Sequence, residues 1–388
     1  LLGQIFYIDL VGYGEQEART RLLACVRHEL ATVAAPPAFP PIWMIPYPRN
    51  PYFTGREDLL TQLATALKSE TTTASTQAQA IIGLGGIGKT QLAIEYAYRH
   101  LQDYQAVFWV RADTHGNLVS NFAAIARELQ LPEKDAKELQ QTVVAVQTWL
   151  RTNGGWLLIL DSADDLALVR EFLPPQYSGQ VLITTRARAM GRFAQRIELD
   201  SMPQEIGVLF LLRRAGLLAP EGLLEQALPK DRMQADELVN ELGRLPLALD
   251  QAGAYIEETS CSIDEYLRLY RASRVAPFKL RGGQISDYPA SVATTWSLAF
   301  ASVEQTKPAA ADLLRLCAFL HPDAIAKELL RKGLTELESP LKELGTDDMA
   351  FHDAVRTLGA FSLLRRNLAS QTLSIHRLVQ AVLIDSIP

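Results

Sequence analysis

Between about residues 53 and 200, short apolar runs alternate with stretches in which apolar residues recur every three or four positions. Residues 80–82, 106–110, 156–161, 180–185 and 196–199 read as short buried strands. Residues 91–100 read as an amphipathic helix with Leu92, Ala93, Tyr96 and Ala97 on one face, and 118–129 as another. Such alternation predicts a parallel sheet covered by helices on both faces, an α/β fold. From about residue 203 the strand signal nearly vanishes. Residues 206–215, 235–242 and 247–258 carry helical spacing, and Gly282-Gly283 marks a break. A second helical unit follows over 288–388 and ends in a predicted hairpin, 361–364 with 372–375 around Asn367. Helices followed by a hairpin predict a winged helix.

Ahead of the alternating region the pattern differs. Residues 5–8 are extended and apolar, 12–14 form a turn, and 15–32 carry Ala18, Leu22, Leu23, Val26 and Leu30 at helical spacing. One strand and one helix make no core alone, so residues 1–35 read as the tail of a larger domain. The chain begins at Leu1 rather than Met and is read as a piece of a longer protein. Residues 36–51 hold seven prolines, which predicts a stiff, extended linker over 36–52. Trp43, Tyr47 and Phe53 interrupt it, so it is expected to lie against the next unit. The expected division is a remnant (1–35), a linker (36–52), an α/β domain (53–202), a helical domain (203–287) and a winged-helix domain (288–388).

Composition narrows the function classes. A chain of 388 residues with 48% hydrophobic and 21% charged residues is globular and long enough for several cores. A net charge of −6 argues against nucleic acid as the main partner, because phosphate neutralisation needs a basic face. Cys25, Cys261 and Cys317 are widely spaced and odd in number, which fits neither a disulfide framework nor a zinc site and predicts a reducing, cytoplasmic setting. The apolar runs are too short to cross a bilayer, so no membrane partner is expected.

The sharpest chemical signal is Gly83-Leu84-Gly85-Gly86-Ile87-Gly88-Lys89-Thr90, which fits the phosphate-cradling pattern G-x-x-x-x-G-K-[ST]. A predicted strand precedes it and a predicted helix follows, as a P-loop requires. Glycines let successive backbone N–H groups turn toward an anion, and the helix N-terminus adds positive potential at the same spot. Lys89 would reach the β- and γ-phosphates, the Thr90 hydroxyl would hold Mg²⁺, and Gly85, Gly86, Ile87, Gly88 and Gln91 would complete the cradle. The run 156–161 is an apolar strand ending in Asp161, the form of a Walker B element that holds Mg²⁺. Ser162 follows where many ATPases place a second acid, so nucleotide binding is a stronger expectation than rapid hydrolysis. Asp164 and Asp165 come next, beyond the predicted strand end. The run 179–186 ends in Thr184, Thr185 and Arg186, whose guanidinium can fork onto a γ-phosphate.

These elements occur in a fixed order with Phe53-Thr54-Gly55-Arg56-Glu57 ahead of them. Gly243-Arg244-Leu245-Pro246-Leu247 and Ile375-His376-Arg377-Leu378 come behind. In that order the chain, over about 53–388, resembles the NB-ARC family of STAND ATPases. The resemblance implies ATP or ADP with Mg²⁺ as cofactors. It implies that Thr54 and Arg56 border the adenine pocket, that Pro246 packs on the nucleotide, and that His376 touches the β-phosphate of ADP from the winged helix. Residues 316–323 look like the family's winged-helix core segment. Two departures from the family stand out: Ile375 and Arg377 replace Met and Asp beside the histidine, and Ser162 replaces the second acid. Residues 5–12 and 15–18 look like the last strand and helix of a TIR domain, as in bacterial TIR-NB-ARC proteins, whose catalytic glutamate would lie upstream of Leu1.

The resemblance implies a nucleotide-gated switch that self-associates into a homo-oligomer on activation, clustering effector domains in bacterial immune defence. An unidentified activating ligand would be sensed by a repeat domain after Pro388. Two other readings compete. A transcription regulator of the same ATPase class would need a basic recognition element, yet residues 351–366 offer only Arg356, Arg365 and Arg366 as cations. A metabolic ATPase or kinase would need an acceptor site, and no such constellation is evident.

Overall fold

The computed structural model describes residues 39–69, 77–187, 190–191, 193–275, 290–322, 324–367 and 370–386. The remnant expected over 1–35, the Gly282-Gly283 break, Asp323 and the Arg377 side chain lie outside them.

Six strands build one sheet in the order β1-β3-β4-β5-β2-β6. They are β1 (Ile42–Trp43), β2 (Ala78–Ile82), β3 (Ala106–Arg111), β4 (Gly154–Asp161), β5 (Ser178–Thr185) and β6 (Ala194–Glu198). Every pairing is parallel. All five residues of β2 are buried, as expected for a strand covered on both faces. Successive side chains leave opposite faces: in β3, Val107 and Trp109 enter one core while Phe108 and Val110 enter the other. Helices α1 (Glu57–Ser69) and α2 (Lys89–Arg99) cover the first face. Helices α3 (His115–Glu128), α4 (Leu139–Thr152) and α5 (Leu166–Phe172) cover the second.

The proline-rich segment does more than lie against this sheet. Ile42 and Trp43 form its first strand, in register with Ala106 and Val107. Met44 N donates to Val107 O at 2.9 Å. Proline lacks an N–H and is confined to sheet edges, and this strand sits at one. Farther on, Arg49 forks onto the buried Glu95 of α2 at 2.9 and 2.7 Å, and the Tyr98 hydroxyl donates to Tyr47 O at 2.9 Å.

The second layer is helical: α6 (Gln204–Arg214), α7 (Pro229–Glu241), α8 (Pro246–Thr259) and α9 (Ile263–Val275). The C-terminal unit comprises α10 (Ala290–Thr306), α11 (Pro308–Ala318), β7 (Ile325–Ala326), α12 (Lys327–Leu334), α13 (Leu341–Thr346), α14 (Asp348–Ala360), β8 (Arg365–Asn367), β9 (Thr372–Ser374) and α15 (Arg377–Ser386). Its small sheet places β9 between β7 and β8, antiparallel to both. The hairpin exists, but its first strand is not 361–364. Ser362 adopts φ 54°, and the N–H groups of Leu363 and Leu364 turn back to Leu358 O at 3.0 and 3.3 Å. Those backbone groups close α14 and are unavailable to a ladder, so strand pairing starts at Arg365.

One connected apolar core runs from the α1–α2 face of the sheet through α6–α9 into α10–α15. Polar contacts stitch the same seams. Leu247 N donates to Gly86 O at 3.2 Å. The buried Arg214 donates to Asp250 at 3.0 Å and Glu257 at 2.5 Å on α8, and to the Ser362 hydroxyl at 3.0 Å. Arg111 at the end of β3 donates to the His321 ring, at 2.5 Å to Nε2.

Candidate functional site

Because the strands are parallel, β2, β4 and β5 end on the same side, and open α/β sheets take ligands there. A cavity of about 410 Å³ lies at these ends, within the range of small-molecule sites. Residues Gly85, Gly86, Ile87, Gly88, Lys89, Thr90 and Gln91 line one side. Gly86 and Gly88 hold φ at 74° and 99°, a region that favours glycine, and this turns the loop amides. Gly88 is the N-cap of α2 and supplies no side-chain acceptor, so the first amides of that helix suit an anion. Gly83 does not line the cavity. A Cβ there would stand 2.6 Å from Leu199 O, so its lack of a side chain serves the approach of the chain after β6.

The charged groups are arranged around this loop. Lys89 Nζ donates to the carbonyls of Gly83 and Leu84, each at 2.9 Å. Burial pulls its pKa below the usual lysine value, against the opposing pull of Asp164 and Asp161. The Thr90 hydroxyl donates to Asp161 Oδ1 at 2.9 Å, and the Thr184 hydroxyl to the same oxygen at 2.5 Å. A hydroxyl beside a buried carboxylate is a hard-oxygen donor set that fits Mg²⁺, which takes few protein ligands and completes its shell with phosphate and water. Among the described residues no cluster of three or more His, Cys, Asp or Glu could hold a metal by itself.

The two acids after Ser162 diverge. Asp165 caps α5, its Oδ1 accepting from Ala167 N at 3.0 Å and Leu168 N at 3.1 Å. Asp164 lines the cavity and takes Arg186 from two sides, backbone N at 2.7 Å and Nε at 2.8 Å. The Thr185 hydroxyl adds a bond at 3.1 Å. Burial alone would raise the Asp164 pKa; the backbone and side chain of Arg186, its charge and Thr185 together hold it below the usual carboxylate range.

Thr54, Arg56, Asp161, Arg186, Pro246 and His376 all line the same cavity, although they come from three regions of the chain. Thr54 is buried, its hydroxyl donating to Tyr52 O at 2.9 Å and accepting from Arg213 at 3.3 Å. Arg56, at φ 67°, donates to Asp200 O at 2.8 Å. Sequence reasoning missed several neighbours. Phe53, Met202 and Phe210 add apolar wall, and Asp250 and Arg365 add a charged pair at 3.9 Å. Nothing in the helical pattern separates Phe210 from an ordinary core residue. Arg365 could have been found, since it faces Ser374 across the β8–β9 ladder, two positions before His376.

A buried strand, a glycine-rich turn, an uncapped helix and a hydroxyl–carboxylate pair at the neighbouring strand ends define a P-loop nucleotide-binding protein. Residues 56–208 match the NB-ARC domain, so the chain carries a P-loop nucleotide-binding domain of that kind. Residues 301–388 match a domain of unknown function, DUF7779. A "Nucleotide-binding leucine-rich repeat (NLR)-like protein" of Hyaloscypha variabilis is 29% identical over 87% of this chain and 35% of its own length. The "Regulatory protein AfsR" of Streptomyces griseus is 26% identical over 79% of this chain and 32% of its own. The chain thus spans about a third of the length of these curated relatives. Among solved structures, a STAND protein with a tetratricopeptide repeat sensor, PH0952 from Pyrococcus horikoshii, shares the fold. Its TM-score is 0.53 at 15% identity, covering 90% of this chain and 45% of that one.

Proposed function

We propose that this chain is the gating portion of a signalling switch that holds ADP with its three units closed around the ligand and opens when ATP replaces it. The reading rests on one observation: Pro246 of the helical layer and His376 of the C-terminal unit border the cavity that the P-loop forms. A diphosphate on the loop amides would be reached by His376 from the opposite side. Lys89 would bind the phosphates, Thr90 and Asp161 would hold Mg²⁺, Arg186 would meet a γ-phosphate, and Thr54 and Arg56 would border the adenine. Residues 288–388 would act as a winged helix whose departure opens the switch. A ligand that favours one arrangement by its differential contacts shifts the population toward it. Opening would expose surface for self-association and cluster the domains attached to the chain, as a defence against infection. Ser162 in place of a second acid supports slow hydrolysis, suited to a timer rather than a motor.

The relatives named AfsR keep a regulator reading in play. Arg365 argues against the C-terminal unit as a DNA reader, because it borders the cavity beside Asp250. A gel-shift titration of the purified chain tests it.

The primary test is extraction of nucleotide from the purified chain, followed by anion-exchange chromatography. ADP is expected near one equivalent, and Lys89→Ala is expected to carry none. A stably folded protein that neither retains nor binds adenine nucleotide would overturn the reading.

A further inference from the structure

Asp164 is the acid that the strand pattern left unassigned, and its position gives it a task beyond folding. It follows Ser162 by two residues, borders the cavity, and spends both oxygens on Arg186, the cation that the reading above assigns to a γ-phosphate. The pair is partly solvated, with side-chain exposures of 57% for Arg186 and 36% for Asp164, so the guanidinium has room to leave. The backbone bond from Arg186 N and the Thr185 hydroxyl would keep Asp164 in place after the guanidinium has gone. Lys89 feels the same carboxylate, the foremost of the two acids that oppose its burial.

We infer that Asp164 is a specificity-determining residue that sets the preference of this site for nucleoside diphosphate over triphosphate, by competing with the γ-phosphate for Arg186. A diphosphate on the P-loop leaves the Asp164–Arg186 pair intact. A triphosphate brings a second anion to the same guanidinium and sets that anion against the carboxylate. Charge-assisted bonds of this kind are worth enough to bias one ligand over another severalfold, and like charges in a partly desolvated cleft add to the bias. The inference rests on the nucleotide reading above and specifies which side chain writes its ligand preference.

The test is calorimetric titration of nucleotide-stripped chain with ADP and, separately, with the non-hydrolysable triphosphate AMP-PNP, each with Mg²⁺. Asp164→Asn keeps the shape and removes the charge, and it should raise the triphosphate-to-diphosphate affinity ratio by about tenfold. Arg186→Ala should lower that ratio, and adding Asp164→Asn to it should then raise the ratio by less than Asp164→Asn does alone, since the competition for the guanidinium is gone and only the charge repulsion remains to be relieved. Asp165→Asn, at the α5 cap where asparagine serves equally well, should leave the ratio where it stands. An unchanged ratio in Asp164→Asn, with ADP still bound, would overturn the inference and leave the nucleotide reading standing. Absence of binding of either ligand by the parent chain would overturn both.

Discussion

Gly88 carries two demands at once. Its φ of 99° turns the loop amides, and its missing side chain leaves Pro246 Cγ 3.9 Å from where a Cβ would stand. Gly88→Ala forces an L-residue into a region that costs about 1–3 kcal/mol and fills the space beside the loop. The variant should fold, with a clearly smaller rise in melting temperature on adding ADP than the parent shows. At this scale the sequence was most legible. Lys89, Thr90 and Asp161 announce themselves through type and spacing, because phosphate and Mg²⁺ chemistry admit few substitutes. Phe53, Met202 and Phe210 were silent, since an apolar side chain on a cavity wall obeys the same periodicity as one in the core.

Among elements, α2 and the linker illustrate what local pattern misses. The helix was visible from Leu92, Ala93, Tyr96 and Ala97, but Glu95 is buried as well, and only its partners explain that. Arg49 and Arg99 both hold it. Burial would raise the Glu95 pKa, and the hydrogen bonds and charges of the two arginines take it below the usual carboxylate value. A folded-state value below the unfolded one gives stability that is present above about pH 4.3 and is lost as pH falls through the folded value. Glu95→Gln should therefore be less stable by about 1–2 kcal/mol at pH 7. It should also show a flatter acid limb, read as the urea midpoint against pH. The first strand was hidden because two residues carry no alternation, and prolines around them argue for a linker. The hairpin slipped because turn closure after α14 consumed the residues with the strongest β-propensity.

For the whole molecule, the order of units could be read along the chain, but their mutual placement could not. It depends on contacts more than a hundred residues apart in sequence, such as Arg214 with Ser362 and Arg111 with His321. Neither pair has a local signature. His376 is the member of the closed arrangement on which the proposed latch depends. In that proposal, its replacement by alanine would remove a contact to phosphate worth about 1–3 kcal/mol. His376→Ala should release fluorescent ADP roughly tenfold or more faster in stopped-flow measurements and shift the chain toward larger species on size exclusion. An unchanged release rate would remove this histidine from the latch.

The edge strand Ile42–Trp43 has a geometric consequence for the switch. That strand is moored to the sheet edge, and the small C-terminal sheet touches the stretch just after it through a side-chain bond from Asn367 to Pro46 O. If the rear of the molecule swings outward, that bond breaks and the mooring stays. In the proposed opening, residues 39–45 would then keep their bearing on the nucleotide pocket while the C-terminal sheet departs.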